Sequence, residues 1–177
     1  PFGGDGHWGV YGAIEGLSEI KEDMHIGLYA RVNKRFANTR NRRMPVLNEP
    51  QIFGVVCGPA KVDPGVTIIF SPYAILEHLR AGFGIGVYYT LTSHQRDTWC
   101  DERADQTIPV NLDCVEQFSK WGSDYVTINV FYDFSVDTPG QPCAPIFSLR
   151  WDVPADFFIA NRVNRTHKVT MGLEFAW

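Results

Sequence analysis

The sequence predicts an all-β fold of antiparallel strands, on three observations. First, apolar side chains alternate with polar or small ones in several segments, and this period of two is the pattern of a strand with two unlike faces. Second, no stretch approaches the roughly 18 uninterrupted apolar residues of a transmembrane helix. Third, the links between the alternating segments are short and long in turn. Together these observations make β-strands the main elements of the fold.

Seven segments show the alternation and are the predicted strands. In chain order they are residues 8–20, 24–33, 66–73, 79–91, 125–134, 146–153 and 169–177. The fourth contains thirteen alternating residues, which exceeds the usual soluble strand but suits a tilted membrane strand. Its glycines, Gly82, Gly84 and Gly86, belong to the strand and make room on one face, rather than forming a phosphate-binding loop.

The connections favour a membrane barrel over a soluble sandwich, a choice that the alternation alone leaves open. Residues 19–23, 74–78 and 135–142 are short links, and residues 38–63, 93–122 and 154–165 are longer ones. Tight turns that alternate with extended loops are typical of outer-membrane barrels. Two of the long links would be structureless beyond about 15 residues, which is uncommon in a compact soluble domain.

The last predicted strand carries the most specific pattern in the chain. Its apolar residues fall at every second position, and the chain ends on an aromatic residue. The spacing Thr170-x-Gly172-x-x-Phe175-x-Trp177 resembles the C-terminal assembly signal of bacterial outer-membrane β-barrel proteins. That resemblance implies a porin-like protein of the bacterial outer membrane, whose partners are outer-membrane lipid and the machinery that inserts barrels.

The resemblance also bears on domain organisation. A chain of 177 residues has the length of one domain, so residues 1–177 are expected to form a single β-barrel domain. Seven strands that end on the periplasmic side would begin on the outer side, whereas single-chain bacterial barrels have an even strand number. At least one further strand is therefore expected upstream, which makes residues 1–177 the C-terminal part of a larger antiparallel transmembrane β-barrel.

Charged residues recur on the polar faces of different strands and are the candidates for lining a water-filled lumen. They are Glu15, Arg31, Arg80, Asp133, Arg150 and Glu174. Charged lumen side chains set the ion and solute preference of pores. The alternative is that these charges are solvated at the surface or form internal salt bridges in a small, plugged barrel.

The four cysteines and five histidines indicate neither a metal site nor a catalytic site. No C-x-x-C pair occurs, and no histidine completes a zinc-ligand spacing or a recognisable nucleophile motif, so no cofactor and no enzymatic activity are expected. Cys100 and Cys114 fall in one polar segment, which fits a loop disulfide in an oxidising compartment, with free buried thiols as the alternative. The net charge of −4 argues against nucleic-acid binding.

The function that these expectations favour is passive diffusion of small hydrophilic solutes or ions through the lumen. Porin-like proteins are often trimers, so a homo-oligomer is compatible with the resemblance. Two alternatives belong to other classes. One is a structural or adhesive barrel with a plugged lumen, and the other is a soluble secreted β-sandwich that acts as a binding module. Fold alone does not choose among them.

Overall fold

The computed structural model describes residues 6–49, 56–80, 82–135, 144–155, 157–158 and 166–175. These residues form ten β-strands and one short helix. The strands are β1 (Gly9–Lys21), β2 (Met24–Arg35), β3 (Asn38–Met44), β4 (Val56–Asp63), β5 (Thr67–Arg80), β6 (Phe83–His94), β7 (Thr98–Asp101), β8 (Trp121–Asp133), β9 (Pro145–Pro154) and β10 (Lys168–Phe175), and the helix is α1 (Leu112–Ser119). The fold is therefore all-β, as the sequence predicts.

The strands belong to two sheets. The larger has seven strands in the order β1-β2-β5-β6-β8-β9-β10, and the smaller has three in the order β3-β4-β7. Every strand pair whose register is defined is antiparallel. Within the part of the chain that the structure describes, β1 and β10 are edge strands, and no pairing between them closes the larger sheet. No helix in this part is both long and apolar enough to cross a membrane.

The seven strands of the larger sheet are the seven that the sequence predicts. One boundary was wrong, because the turn expected at residues 74–78 lies later, around Gly82, whose φ is +81°. β5 continues to Arg80, and His78 adopts a φ of 51° inside it. That left-handed residue interrupts the alternation, which made the end of β5 resemble the start of the next strand. Gly84 and Gly86 do lie in β6, but Gly82 forms the turn.

The two longest links are not structureless, which corrects the expectation for residues 38–63 and 93–122. They contain β3, β4, β7 and α1. β3 has the sequence Asn-Thr-Arg-Asn-Arg-Arg-Met, which is polar on both faces, and β7 has four residues. Neither offers the alternation by which a strand is detected, since that signal needs two unlike faces over several residues.

Contacts between Cα atoms divide the chain into two compact units. The first comprises Pro1–Gly12, Val32–Ile68 and Ser93–Trp121, and the second comprises Ala13–Arg31, Ile69–Thr92 and Gly122–Trp177. In the first unit Met44, Val56 and Ala60 form a small buried core, with Trp99 and Leu112 packed against it. Asn111 caps α1 by accepting a hydrogen bond from the backbone amide of Cys114, which satisfies one free N–H of the first turn.

The expected disulfide between Cys100 and Cys114 is absent, since both are free thiols. Side chains alternate along β7, so Trp99 packs against the core while Cys100 points to the opposite, exposed side. Cys114 is buried on α1. Cys57 is exposed on β4, and Cys143 lies outside the described residues. The alternative that the sequence left open, free buried thiols, holds for Cys114, whereas Cys100 is free but exposed.

In the second unit, the register of β8, β9 and β10 produces two unlike faces. On one face every cross-strand pair of β9 and β10 is apolar, for example Trp151 opposite Val169 and Leu149 opposite Met171. On the other face Thr127 lies opposite Asp152, which lies opposite Lys168. We call these the apolar face and the polar face of the large sheet.

On the central strands, burial on the two faces is the reverse of that in a water-soluble sheet, whereas β1 and β10 are exposed on both faces. On the polar face Thr127 of β8 is 2% exposed, and Ser71 of β5 is also buried. On the apolar face Met171 is 72% exposed. On the apolar face, large apolar residues are exposed on six of the seven strands: Ile14, Leu28, Phe70, Val87, Trp151 and Met171. The sheet therefore presents its apolar side outward.

Candidate functional site

The polar face of β8, β9 and β10 is the candidate site, and the strand register arranges its residues in three rows. Antiparallel pairing places side chains of the same face directly opposite one another on neighbouring strands. The rows are Thr127–Asp152–Lys168, Asn129–Arg150–Thr170 and Phe131–Ser148–Gly172. Arg150 occupies the middle of the central row, so it is surrounded by polar or small neighbours on both adjoining strands.

Arg150 is held in place by hydrogen bonds along its own strand. Its Nε donates to Oδ1 of Asp152 at 3.0 Å, and the Thr127 hydroxyl donates to the same oxygen at 2.6 Å. Asp152 is largely buried, whereas the Arg150 side chain is 56% exposed. The carboxylate therefore fixes one edge of the guanidinium, while the rest of the group faces open space.

Two clefts open on either side of Arg150. The larger, of about 360 Å³, is lined by Thr90, Tyr125, Thr127, Arg150, Asp152, Thr166, His167 and Lys168. The smaller, of about 230 Å³, is lined by Tyr88, Asn129, Ser148, Arg150, Thr170 and Gly172. Arg150 is common to both. Most of the residues that line them carry a polar or charged group, although carbon atoms form much of the surface of the larger cleft.

Aromatic rings cover the glycines on the other strands of the polar face. The Tyr73 ring lies across Gly27, where a Cβ would fall 2.1 Å from Cζ of the tyrosine. Tyr73 stacks on Tyr88 with ring centroids 5.3 Å apart, and its hydroxyl donates to Glu15 at 2.6 Å. The Phe131 ring covers Gly84 in the same way. Glycine is needed at these positions because a side chain would occupy the volume of the ring.

The six residues predicted to line a lumen lie in different surroundings in the structure. Arg150 lies between the two clefts, and Glu15 accepts the hydrogen bond from Tyr73. Arg31 is half-buried on the face of β2 that also carries Gly27. Asp133, at the end of β8, accepts a hydrogen bond from the amide of Ser135 at 2.8 Å.

Two other predicted lumen residues are exposed. Glu174 lies on β10 opposite Ile146, on the polar face. Arg80 was expected on the strand of residues 79–91, but it is the last residue of β5. The six residues are thus not one cluster, and Arg150 is the member that lines the clefts just described.

Several site residues were missed by the sequence analysis. Asp152, Thr127 and Lys168 complete the row beside Arg150, and Tyr73 and Tyr88 form the stacked pair. Asp152 could have been found from the sequence, because it lies two positions from Arg150 on the same predicted strand and such side chains share a face. Thr127 and Lys168 lie beside Asp152 because of the pairing register of β8, β9 and β10, and the sequence alone does not define that register.

The predicted assembly signal lies mostly on β10. Thr170 is in the row of Arg150, and a Cβ on Gly172 would fall 2.6 Å from the Ser148 hydroxyl. Phe175 is exposed on the apolar face, and Trp177 lies outside the described residues. The alternation expected for this segment is therefore present from Lys168 to Phe175, while its role in assembly stays a prediction.

A hydroxyl, an imidazole and a carboxylate also meet in the first unit. Thr67 Oγ1 is 2.8 Å from Nδ1 of His94, and Asp97 Oδ1 is 3.0 Å from Nε2. Asp97 also accepts the amide of Gly65 at 2.7 Å. The order resembles a nucleophilic triad, but His94 is 3% exposed and stacks on Trp121. Its ring has little room for a substrate, so the cluster fastens the turn before β5 to the end of β6.

No family model, curated protein or solved structure matches the chain. Among the described residues, no group of three His, Cys, Asp or Glu side chains could hold a metal ion. The fold and the site therefore define the class of the protein by their own geometry. It is an all-β protein with a large antiparallel sheet, an exposed apolar face and a polar face that carries Arg150 between two clefts.

Proposed function

We propose that the large sheet is part of a transmembrane β-barrel in a bacterial outer membrane, and that the barrel lets small hydrophilic solutes or ions diffuse through it. The observation that carries this proposal is the exposure of the apolar face. Six strands contribute large apolar side chains that are open to the surroundings, while polar groups on the central strands are buried. In lipid this arrangement is favourable, and in water it is not.

A membrane setting requires a closed sheet. Lipid offers no hydrogen-bond partner to the free N–H and C=O groups of an edge strand, so membrane strands occur in closed barrels. β1 and β10 are edges within the described residues, and β1 is exposed along all thirteen positions. The proposal therefore includes further strands in the full-length protein, between the free edges of β10 and β1. An even total would follow the rule for single-chain bacterial barrels.

In a closed barrel the polar face would line the interior. Solutes would pass the clefts beside Arg150, and the charges of Arg150, Lys168, Asp152 and Glu15 would set a preference by their field. Passage would be passive, because the arrangement needs only a hydrated path. The insertion machinery would recognise β10 through the spacing of Thr170, Gly172 and Phe175, by resemblance to the outer-membrane signal.

A second candidate is a structural barrel with a filled interior. The stacked Tyr73 and Tyr88 rings and the Phe131 ring lie across the polar face over glycines, where they would occupy interior volume. A small barrel filled in this way would be rigid and impermeable. The soluble sandwich is a weaker alternative, since the apolar face would then have to be covered by another molecule.

The test uses the full-length protein expressed in a Gram-negative host. We expect it in the outer-membrane fraction, soluble only with detergent, with an electrophoretic mobility that changes on boiling. Reconstituted in planar bilayers, it should give stepwise conductance. A folded, heat-modifiable protein without conductance would support the filled structural barrel. A monodisperse protein that needs no detergent would overturn the membrane proposal.

A further inference from the structure

We propose that the larger cleft beside Arg150 binds a small solute that carries an oxyanion, either carboxylate or phosphate, together with hydroxyl groups. The proposal rests on the proposed function, since it takes the polar face to line the solute path. It adds the chemical class of the preferred solute and the residues that select it.

The charge of the cleft favours an anion. Arg150 and Lys168 both line it, and Asp152 is the acid that lines it with them. The Asp152 carboxylate already accepts hydrogen bonds from Thr127 and Arg150. Lys168 lies directly opposite Asp152 across the strand pair, so it adds positive charge to the row next to Arg150. Counted without His167, which also lines the cleft, the charges of Arg150, Lys168 and Asp152 sum to one net positive charge in a partly enclosed space, where water screens charges less than at an open surface.

The geometry of Arg150 suits an oxyanion in particular. Asp152 engages the guanidinium through Nε, and among the described residues its terminal nitrogens have no side-chain partner. A guanidinium presents paired donors in one plane, which match two oxygens of a carboxylate or phosphate. The hydrogen bonds that Thr127 and Arg150 donate to Asp152 hold that plane in position before a ligand arrives, which lowers the ordering cost of binding.

The size and the hydroxyl lining restrict the ligand further. A cleft of about 360 Å³ lies near the lower end of small-ligand sites, so it suits a molecule of monosaccharide size. Thr90 offers a half-buried hydroxyl there, and its oxygen can accept from a ligand hydroxyl besides its hydrogen bond with Ser71. Thr127 is almost fully buried, and its hydroxyl donates to Asp152, so it holds the acid in place. A hydroxylated acid would satisfy both the cation and the Thr90 hydroxyl.

Isothermal titration of the full-length protein in detergent tests the proposal. Gluconate is the hydroxylated carboxylate probe, inorganic phosphate tests the other oxyanion, and glucose is the neutral control. We expect Arg150→Gln to weaken gluconate binding at least about tenfold, the usual effect of losing a charge-assisted pair. Arg150→Lys should retain part of the affinity. The matched control, Arg43→Gln on the exposed side of β3, should bind as the wild type does.

A second variant separates a shaped site from a general electrostatic effect. Asp152→Ala removes both the acid and the oxygen that accepts hydrogen bonds from Arg150 and Thr127, so it should strengthen gluconate binding if charge alone matters. If Asp152 positions the guanidinium, the same change should weaken binding despite the added net positive charge. Equal gluconate affinity in Arg150→Gln and Arg43→Gln would overturn the proposal, as would equal binding of glucose and gluconate.

Failure of this proposal is distinguishable from failure of the proposed function. Conductance in planar bilayers reports the pore, whereas titration in detergent reports the site. A conducting protein that binds neither gluconate nor phosphate would overturn the proposed oxyanion site and would still support the proposed pore. A protein that binds gluconate through Arg150 without conducting would keep the site and favour a filled barrel.

Discussion

At the scale of single residues, the polar face depends on glycines as much as on charges. Gly27 and Gly84 lie beneath the rings of Tyr73 and Phe131, and their missing side chains make room for those rings. Tyr73 is further restrained by its hydrogen bond to Glu15 and by stacking on Tyr88. A ring with three sets of contacts has little freedom to move aside.

Gly27→Ala should therefore destabilise the protein. The new Cβ would fall 2.1 Å from Tyr73 Cζ, so the ring must leave Glu15 or Tyr88. Overpacking of this kind costs about 1–3 kcal/mol. Gly16→Ala is the matched control, because a Cβ at Gly16 meets nothing within 4 Å. The check is the midpoint of urea unfolding in detergent micelles, and equal midpoints for the two variants would contradict the packing argument.

The pair formed by Asp101 and Arg103 makes a second residue-scale prediction. The guanidinium donates to both carboxylate oxygens, at 2.9 Å and 2.8 Å, and these hydrogen bonds lower the pKa of Asp101 below its ordinary value. A depressed folded pKa means that the stabilisation is present above the unfolded pKa of about 4, and is lost as pH falls through the folded value. The first unit should therefore loosen in acid.

Asp101→Asn should weaken that dependence. We expect its first unit to be less stable than the wild type at pH 5 and to lose less stability between about pH 5 and pH 2, where Asp105, whose pKa is lowered by its hydrogen bonds from Thr107, still contributes. The check is the rate at which buried Cys114 reacts with dithiodipyridine, with Cys57, Cys100 and Cys143 replaced by serine. Parallel pH profiles for the two proteins would show that another group controls acid loosening.

At the scale of elements, the strands of the large sheet were predictable and those of the small sheet were not. β4 does alternate in burial, but Gly58 and Ala60 on its buried side are small and Pro59 lies between them, so its apolar pattern is weak. All seven strands of the large sheet follow from alternation, because each has one apolar and one polar side. β3 escaped detection because it carries Arg40, Arg42 and Arg43 with other polar residues on both sides. The turn after β5 was misplaced because His78 breaks the period. Arg150 was predicted as a site residue from its charge and from its face of the strand. Its neighbours on β8 and β10 could not be predicted, because they depend on the register of those strands.

The two faces of β10 make an element-scale prediction. Met171→Lys places a charge on the apolar face, whereas Thr170→Lys places one on the polar face beside Arg150. In a bilayer the first should cost about 2–4 kcal/mol near the midplane and reduce insertion. In water it should cost little, because Met171 is already exposed. The check is the heat-modifiable fraction after folding into vesicles, with wild type and Thr170→Lys as controls.

Equal folding of Met171→Lys and Thr170→Lys into vesicles would contradict a lipid-facing role for the apolar face. Failure of Met171→Lys to insert, together with normal insertion of Thr170→Lys, would support a lipid-facing role. The comparison is direct because the two positions are adjacent on one strand and receive the same side chain. Only the face of the sheet differs between them.

At the scale of the whole molecule, the open edges of the large sheet decide what the protein can be. In an edge strand, half of the backbone amides point away from the sheet without a partner. β1 is thirteen residues long, and within the described residues it is paired on one side, to β2. In a membrane those outward groups must be satisfied by other strands.

Hydrogen exchange of the full-length protein in detergent follows from this requirement. If the barrel is closed, amides across Gly9–Lys21 should exchange as slowly as those of the central strand Trp121–Asp133, because both strands are then paired on two sides. If the edge is open, about half of the β1 amides should exchange rapidly while β8 stays protected. Mass-spectrometric peptides over the two strands provide an internal comparison within one sample. Uniform protection would place β1 inside a closed barrel, and alternating fast exchange would exclude closure at this edge.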